Sequence, residues 1–280
     1  MPEFLQPTSL EQAMDLLVKK QDVRFLAGGT DLIPLMRSRA ASCRYLMDIK
    51  RIPELHTFQY TPEGLTIGAA STCSQILHAD FFREEHRVLQ EAAATLANSL
   101  LRNRATLMGN ICNASPGGDM IPACLVLGAM VYTRSPRGER AIPLKAFFTG
   151  VKTHVLAPDE LAVKLTLPNK PGRGVYLKKR RIRGHDLAQV GLAGFYGEDH
   201  ALTFAAAAVG PTPILIDDIG VIPPETLPGS KEEIKAKVKA YARPISDVRS
   251  SKEYRLAMLD YFVGLAVDSF ASGERVEVRA

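Results

Sequence analysis

Apolar and polar positions follow two different periods along this chain, and each change of period marks out an element. Leu10, Ala13, Leu16 and Leu17 recur at helical spacing through Lys20. Thr8 or Ser9 can cap that helix, with Glu11 and Gln12 three residues after each to complete a capping box. A short apolar strand at residues 23–26 runs directly into Ala27-Gly28-Gly29-Thr30-Asp31. A second helix is expected from about Asp31, since Pro34 is tolerated in a first turn. Residues 45–49 read as the next strand, which completes a small β/α unit of about 55 residues.

From His56 the texture changes. Residues 56–60 and 65–69 flank Thr61-Pro62-Glu63-Gly64, a hairpin signal. Helical spacing covers residues 74–101, followed by a long irregular segment at 102–122 and strands at 129–134 and 161–167. Asn169-Lys170-Pro171-Gly172 reads as a boundary between domains. The expected division is therefore 1–171, itself split into about 1–55 and 56–171, and 172–280. The second part predicts three strands, at 174–183, 187–196 and 201–209, with Gly197-Glu198-Asp199-His200 turning the last pair. Helices near 231–241 and 252–272 close the chain, so the fold class is α+β.

Composition narrows the functional classes. Of the 280 residues, 46% are hydrophobic and 23% charged, an ordinary globular balance. No stretch approaches the roughly 20 uninterrupted apolar residues of a membrane span. Met1-Pro2-Glu3-Phe4 lacks the basic-then-apolar texture of a secretory signal, so a soluble cytoplasmic protein is expected. The net charge of +5 is mild, and the one dense basic run, Lys178-Lys179-Arg180-Arg181-Ile182-Arg183, reads by itself as a solvated strand rather than a nucleic-acid patch. Cys43, Cys73, Cys112 and Cys124 form no CxxC pair and no zinc spacing with the six scattered histidines. Neither a metal site nor an iron–sulfur cluster is expected within the chain. HExxH, G-x-S-x-G and Walker patterns are all missing from the sequence.

Two segments could carry chemistry. In Leu26-Ala27-Gly28-Gly29-Thr30-Asp31-Leu32, paired glycines permit close backbone approach to a phosphate, and Thr30 adds a hydroxyl. A tight strand-to-helix turn requires glycine with or without a ligand, so this segment leaves both readings open. The second, Ala105 to Asp119, is rich in small polar residues yet lies between apolar stretches. Asn110, Asn113, Ser115 and Asp119 offer donors and acceptors suited to a polyhydroxylated ligand. A structural loop whose Asn and Asp satisfy their own turns would look the same.

The residues themselves bring a family into view. Arg24-Phe25-Leu26-Ala27-Gly28-Gly29-Thr30-Asp31-Leu32 resembles the first FAD loop of the flavin subunits of molybdenum hydroxylases. That family includes the medium subunit of carbon monoxide dehydrogenase and the FAD modules of xanthine dehydrogenase and 4-hydroxybenzoyl-CoA reductase. Thr106 to Asp119, continuing through Pro122 to Ala129, is similar to the second FAD loop, a T-x-G-G-N-x-x-x-x-x-P-x-x-D pattern. Tyr176 to Val190 resembles the strand that opens the family's C-terminal domain, and Ser250-Ser251-Lys252-Glu253-Tyr254-Arg255 the start of its last helix. The matches keep their order from residue 24 to 255.

The resemblance implies a two-part PCMH-type, vanillyl-alcohol-oxidase-like FAD-binding domain followed by a smaller α+β domain. It implies that Leu26, Ala27, Gly28, Gly29, Thr30, Asp31 and Leu32 wrap the FAD pyrophosphate, and that Thr106, Gly109, Asn110 and Asn113 hold the pyrophosphate and ribityl side. Asp119 would accept a sugar or ribityl hydroxyl, Leu161 would mark a strand lining the cavity, and Lys178 would lie near the flavin ring, with Lys179 one position away. If Lys178 faces the cofactor, alternation turns Arg180 inward and Lys179 outward. Two departures stand out: Met108 replaces the first of two glycines, and Thr95-Leu96-Ala97-Asn98 supplies no aromatic to stack on the flavin. The cysteine-bearing insert of the 4-hydroxybenzoyl-CoA reductase branch is also missing.

On this resemblance the chain is a noncovalent FAD-binding electron-transfer subunit. Its implied partners are a small subunit with [2Fe-2S] clusters and a large molybdopterin-binding subunit, with NAD(P)+ or a quinone as acceptor and no catalytic side chain of its own. A stand-alone FAD-dependent oxidase or reductase is the first alternative, in which His185 is the only histidine beside a matched segment. A flavin-less structural subunit, kept in view by Met108, is the second.

Overall fold

The computed structural model describes residues 2–182 and 186–276. Arg183 and His185, which entered the strand and histidine readings above, lie outside the described residues. The opening unit runs β1 (Glu3–Leu5), α1 (Leu10–Lys19), β2 (Val23–Leu26), α2 (Leu32–Arg37) and β3 (Tyr45–Asp48). Ser9 is the cap of α1, accepting the Gln12 N–H, while Gln12 Oε1 takes the Thr8 N–H at 2.8 Å. The helix buries Ala13, Met14 and Leu17. The three strands pair in parallel in the order β1-β3-β2.

The hairpin β4 (Phe58–Thr61) and β5 (Gly64–Gly68) follows as expected. The helical stretch at 74–101 is broken into α3 (Cys73–Leu77), α4 (Arg87–Thr95) and α5 (Ser99–Arg102). The segment at 102–122 is less irregular than its composition suggests, for it holds α6 (Leu107–Cys112) and the start of α7 (Met120–Val126). Every residue of α7 is buried, so this helix has no polar face and no amphipathic period to betray it. Then come β6 (Met130–Ser135), β7 (Gly138–Pro143), the small pair β8 (Phe148–Gly150) and β9 (Thr153–His154), and β10 (Leu161–Pro168). They build an antiparallel sheet in the order β4-β5-β10-β6-β7.

The last part carries four antiparallel strands where the sequence suggests three: β11 (Gly172–Lys179), β12 (Val190–Gly197), β13 (Ala201–Ala207) and β14 (Ile214–Val221). The fourth is an edge strand, buried only at Ile216, broken by a bulge opposite Leu202/Phe204 and polar at Asp217-Asp218. Such a strand lacks the apolar alternation that would announce it. Helices α8 (Leu227–Tyr241) and α9 (Lys252–Ser272) cover one face of this sheet. The period of two divides the sheet between two cores. Val175, Leu177, Leu192 and Phe204 pack toward the helices, whereas Tyr176, Ala193, Phe195 and Ala205 join the core of the first part. Burial against α4 and α7 therefore extends the first core across residue 171.

Candidate functional site

The first glycine loop begins where β2 leaves its sheet. Ile49 N–H reaches the Leu26 carbonyl at 3.1 Å, one step beyond the strand pairing. Leu26, Ala27, Gly28, Gly29, Thr30 and Leu32 are half-buried and Asp31 is exposed, so this loop lines the surface. Gly29 has φ +73°, a region that penalises any side chain. Gly28 is required for another reason: a Cβ there would run into the Arg104 carbonyl and lie within 2.9 Å of Ala105 Cα. The first loop is thus packed backbone against backbone on the entrance to the second.

That second loop is held from below. Thr72 and Thr106 form an isolated bridge, and Cys73 N–H donates to the Ala105 carbonyl at 2.8 Å. Thr106 is 3% exposed, and its hydroxyl accepts the Gly109 N–H at 3.0 Å to cap α6. Asn110 Oδ1 accepts the Met120 N–H at 3.3 Å, tying α6 to α7. Asn113 donates from Nδ2 to Asp31 Oδ1 at 3.1 Å, across 82 positions of sequence, and this bond joins the two loops directly. Lys152 N–H at the tip between β8 and β9 reaches the Ala114 carbonyl, and Ala208 N–H reaches Pro116, so the loop is braced from both parts of the chain.

Met108 does not crowd this surface. It is 4% exposed and belongs to the first core with Leu107 and Ile111, while Gly109 on the same helix is exposed. The helical turn of α6 aims the Met108 thioether into the core.

Asp119 and Lys178 meet, but not as a free acceptor and a free cation. Lys178 Nζ lies 2.8 Å from Asp119 Oδ2 and 3.2 Å from the Thr95 carbonyl, and Tyr176 donates its hydroxyl to Asp119 Oδ1 at 3.4 Å. Asp119 is 7% exposed. Burial pushes its carboxyl above the usual range, while Lys178, the Tyr176 hydroxyl and Arg180 pull it down. Both oxygens are thus engaged by protein, and the pair pins β11 onto the start of α7. Lys178 shares the inward face of β11 with Tyr176, as alternation predicts, and Arg180 acts on the same carboxylate. Leu161 is buried in the first core, so it supports β10 and exposes no surface of its own.

The structure brings together twelve of the fourteen residues singled out by sequence: the seven of the first loop, and Thr106, Gly109, Asn110, Asn113 and Asp119 of the second. Lys178 attaches to them through Asp119, and Leu161 stands apart in the core. Sequence reasoning missed Tyr176 and Thr95, and also Lys50, whose ammonium donates to the Ala27 carbonyl of the first loop at 3.2 Å. Tyr176 was legible from strand alternation with Lys178, whereas a backbone carbonyl such as that of Thr95 leaves no signal.

A family model described as the FAD binding domain in molybdopterin dehydrogenase matches residues 1–170. The chain belongs to that family. As a member, it is an FAD-binding oxidoreductase subunit of the carbon monoxide and xanthine dehydrogenase type. The glyceraldehyde dehydrogenase medium chain of Sulfolobus acidocaldarius is 31% identical over 262 residues, covering 91% of this chain and 93% of that one. The caffeine dehydrogenase subunit beta of Pseudomonas sp. strain CBB1 is also 31% identical, over 88% of this chain and 85% of that one. Among solved structures, carbon monoxide dehydrogenase from Oligotropha carboxidovorans superposes with a TM-score of 0.88 at 26% identity, covering 97% of this chain and 98% of that one. Quinoline 2-oxidoreductase from Pseudomonas putida 86 gives 0.87 at 25% identity, covering 98% of each chain.

The residues present fit FAD. Two glycine-bearing loops adjoin on one accessible surface, and among the described residues the Gly28, Gly29 and Thr30 N–H groups make no hydrogen bond. Amides of that kind suit a diphosphate. Asn113 is tied to the same loop through Asp31, and Asn110 lies one turn before it on α6, both with side-chain amides that can serve hydroxyl groups.

Proposed function

We propose that this chain is the electron-transfer subunit of a molybdenum-containing hydroxylase or dehydrogenase, holding FAD noncovalently across its two loops. Its partners in this reading are a small subunit with [2Fe-2S] clusters and a large molybdopterin-binding subunit, with NAD(P)+ or a quinone as terminal acceptor. Residues 1–171 would form the cofactor-binding domain and 172–280 a second domain that braces it. Bound FAD would supply a carrier able to exchange electrons singly or in pairs, chemistry that needs no catalytic acid or base from the protein.

The chain's own residues would do the holding. Gly28, Gly29 and Thr30 would offer backbone amides to the diphosphate, with Leu26, Ala27, Asp31 and Leu32 shaping the turn. Thr106 and Gly109 would fix the second loop through their mutual hydrogen bond, and Asn110 and Asn113 would face the ribityl side. Asp119 would act through Lys178, as one buried unit that sets where α7 begins. The observation that carries this reading is the backbone contact of Gly28 with Arg104 together with the Asn113–Asp31 bond, which make two distant loops one surface.

Titration of the purified chain with FAD tests the reading. Flavin absorbance should travel with the protein, bleach with dithionite and be released by acid precipitation. Protein that remains colourless would overturn it, and flavin retained through acid would refute noncovalent attachment.

A further inference from the structure

Lys50 lies outside both glycine loops, yet its ammonium reaches into the first. Asp48 ends β3 in register with Leu26, the last residue of β2. Asp48 is 8% exposed, and its carboxylate accepts both the Lys50 N–H at 3.1 Å and the Lys50 ammonium at 2.5 Å. The same ammonium donates to the Ala27 carbonyl at 3.2 Å. Two successive carbonyls at the root of the loop are thus tied to the end of β3: Leu26 by the Ile49 N–H and Ala27 by Lys50. The Lys50 carbonyl is in turn bound to His56 Nε2 at 2.7 Å, which fixes the segment that carries the lysine.

A trans peptide is planar, with its N–H directed opposite to its C=O. No cis bond occurs among the described residues, so anchoring the Ala27 carbonyl on Lys50 turns the Gly28 N–H away from Lys50. With the Leu26 carbonyl held by Ile49 and Gly28 packed on Arg104, the 27–28 peptide plane lies between two fixed points and can still rotate. The bond from Lys50 restrains that rotation.

We propose that Lys50 is a positioning residue, which clamps the Ala27 carbonyl so that the Gly28 amide is aimed at the diphosphate of FAD before it binds. This rests on the FAD reading above and adds to it the element that sets the loop in advance. Preorganisation of this kind acts on affinity, because the free loop no longer has to be ordered by the ligand.

Three variants separate the clamp from the stability of the Asp48–Lys50 pair. Lys50→Met leaves a buried carboxylate without its cation, so it lowers both the melting temperature and FAD affinity, the latter by about tenfold. Asp48→Asn combined with Lys50→Met removes the orphaned charge and recovers melting, but the carbonyl stays unclamped and FAD remains weakly bound. Lys50→Arg, which keeps a cationic donor, recovers both. FAD dissociation constants that follow melting temperature across the three variants would reduce Lys50 to a structural role and overturn the proposal, as would wild-type affinity in Lys50→Met. A wild-type chain that takes up no FAD would instead overturn the cofactor reading on which the proposal rests.

Discussion

Asn113 donates to Asp31 across 3.1 Å, and this one bond connects the two loops whose joint surface defines the site. The Asp31 side chain caps nothing in α2, so its carboxylate is available for the contact. Replacing Asn113 with Ala should weaken FAD binding by about threefold to tenfold, the range of one ordinary solvent-accessible hydrogen bond. Asp31→Ala should do the same. The double variant should lose less than the sum, with a coupling of about 1 kcal/mol by flavin fluorescence titration. Additive losses would mean the two side chains act independently.

The Asp119–Lys178 pair predicts a large effect on stability. Lys178→Met strands a buried carboxylate and should cost about 3–5 kcal/mol in urea unfolding, whereas Lys178→Met with Asp119→Leu should recover most of it. The pH response follows from the direction of the Asp119 shift. Its carboxyl titrates above the usual range in the fold, so the folded state binds that proton more tightly than the unfolded one. Without Lys178 the shift grows, and the variant should regain stability as pH falls from 7 toward 5.

Glu160 should behave in the opposite sense. Burial pushes its carboxyl up, but hydrogen bonds from Arg140, Thr133 and the Ala157 N–H outweigh this and hold it at about 2. A depressed pKa contributes stability that is fully present above the unfolded value of 4.5 and is lost as pH falls toward 2. Glu160→Gln should therefore be less stable at pH 7, by up to about 3 kcal/mol, and should show a flatter acid limb in pH-dependent unfolding.

Met108→Gly restores the residue the family resemblance calls for, yet it should not improve FAD binding. The side chain fills the first core, and its loss inside a helix should cost about 3–5 kcal/mol. Unchanged stability with tighter FAD binding would show that the methionine faces the cofactor after all.

Elements with strong local signals were legible from the chain. The apolar run of β2, the Pro-Gly turn between β4 and β5, and the long period of α9 all lie where periodicity puts them. Short elements were not, because tertiary burial alone stabilises them: α6 and α7 are six and seven residues long, and β1 only three. Edge strand β14 hides behind Asp217-Asp218. The glycines of the site were readable, since a conformational demand selects glycine locally. The partner of Asp119 was not, because a pairing across 59 positions depends on how β11 meets α7.

The central claim is that both loops close on one FAD. Hydrogen exchange followed through an FAD titration tests it most directly, reading peptides from residues 26–32 and 106–119. The account predicts that both segments gain protection together, with one midpoint and one stoichiometric equivalent of FAD. Protection confined to a single loop, or two separate midpoints, would contradict it.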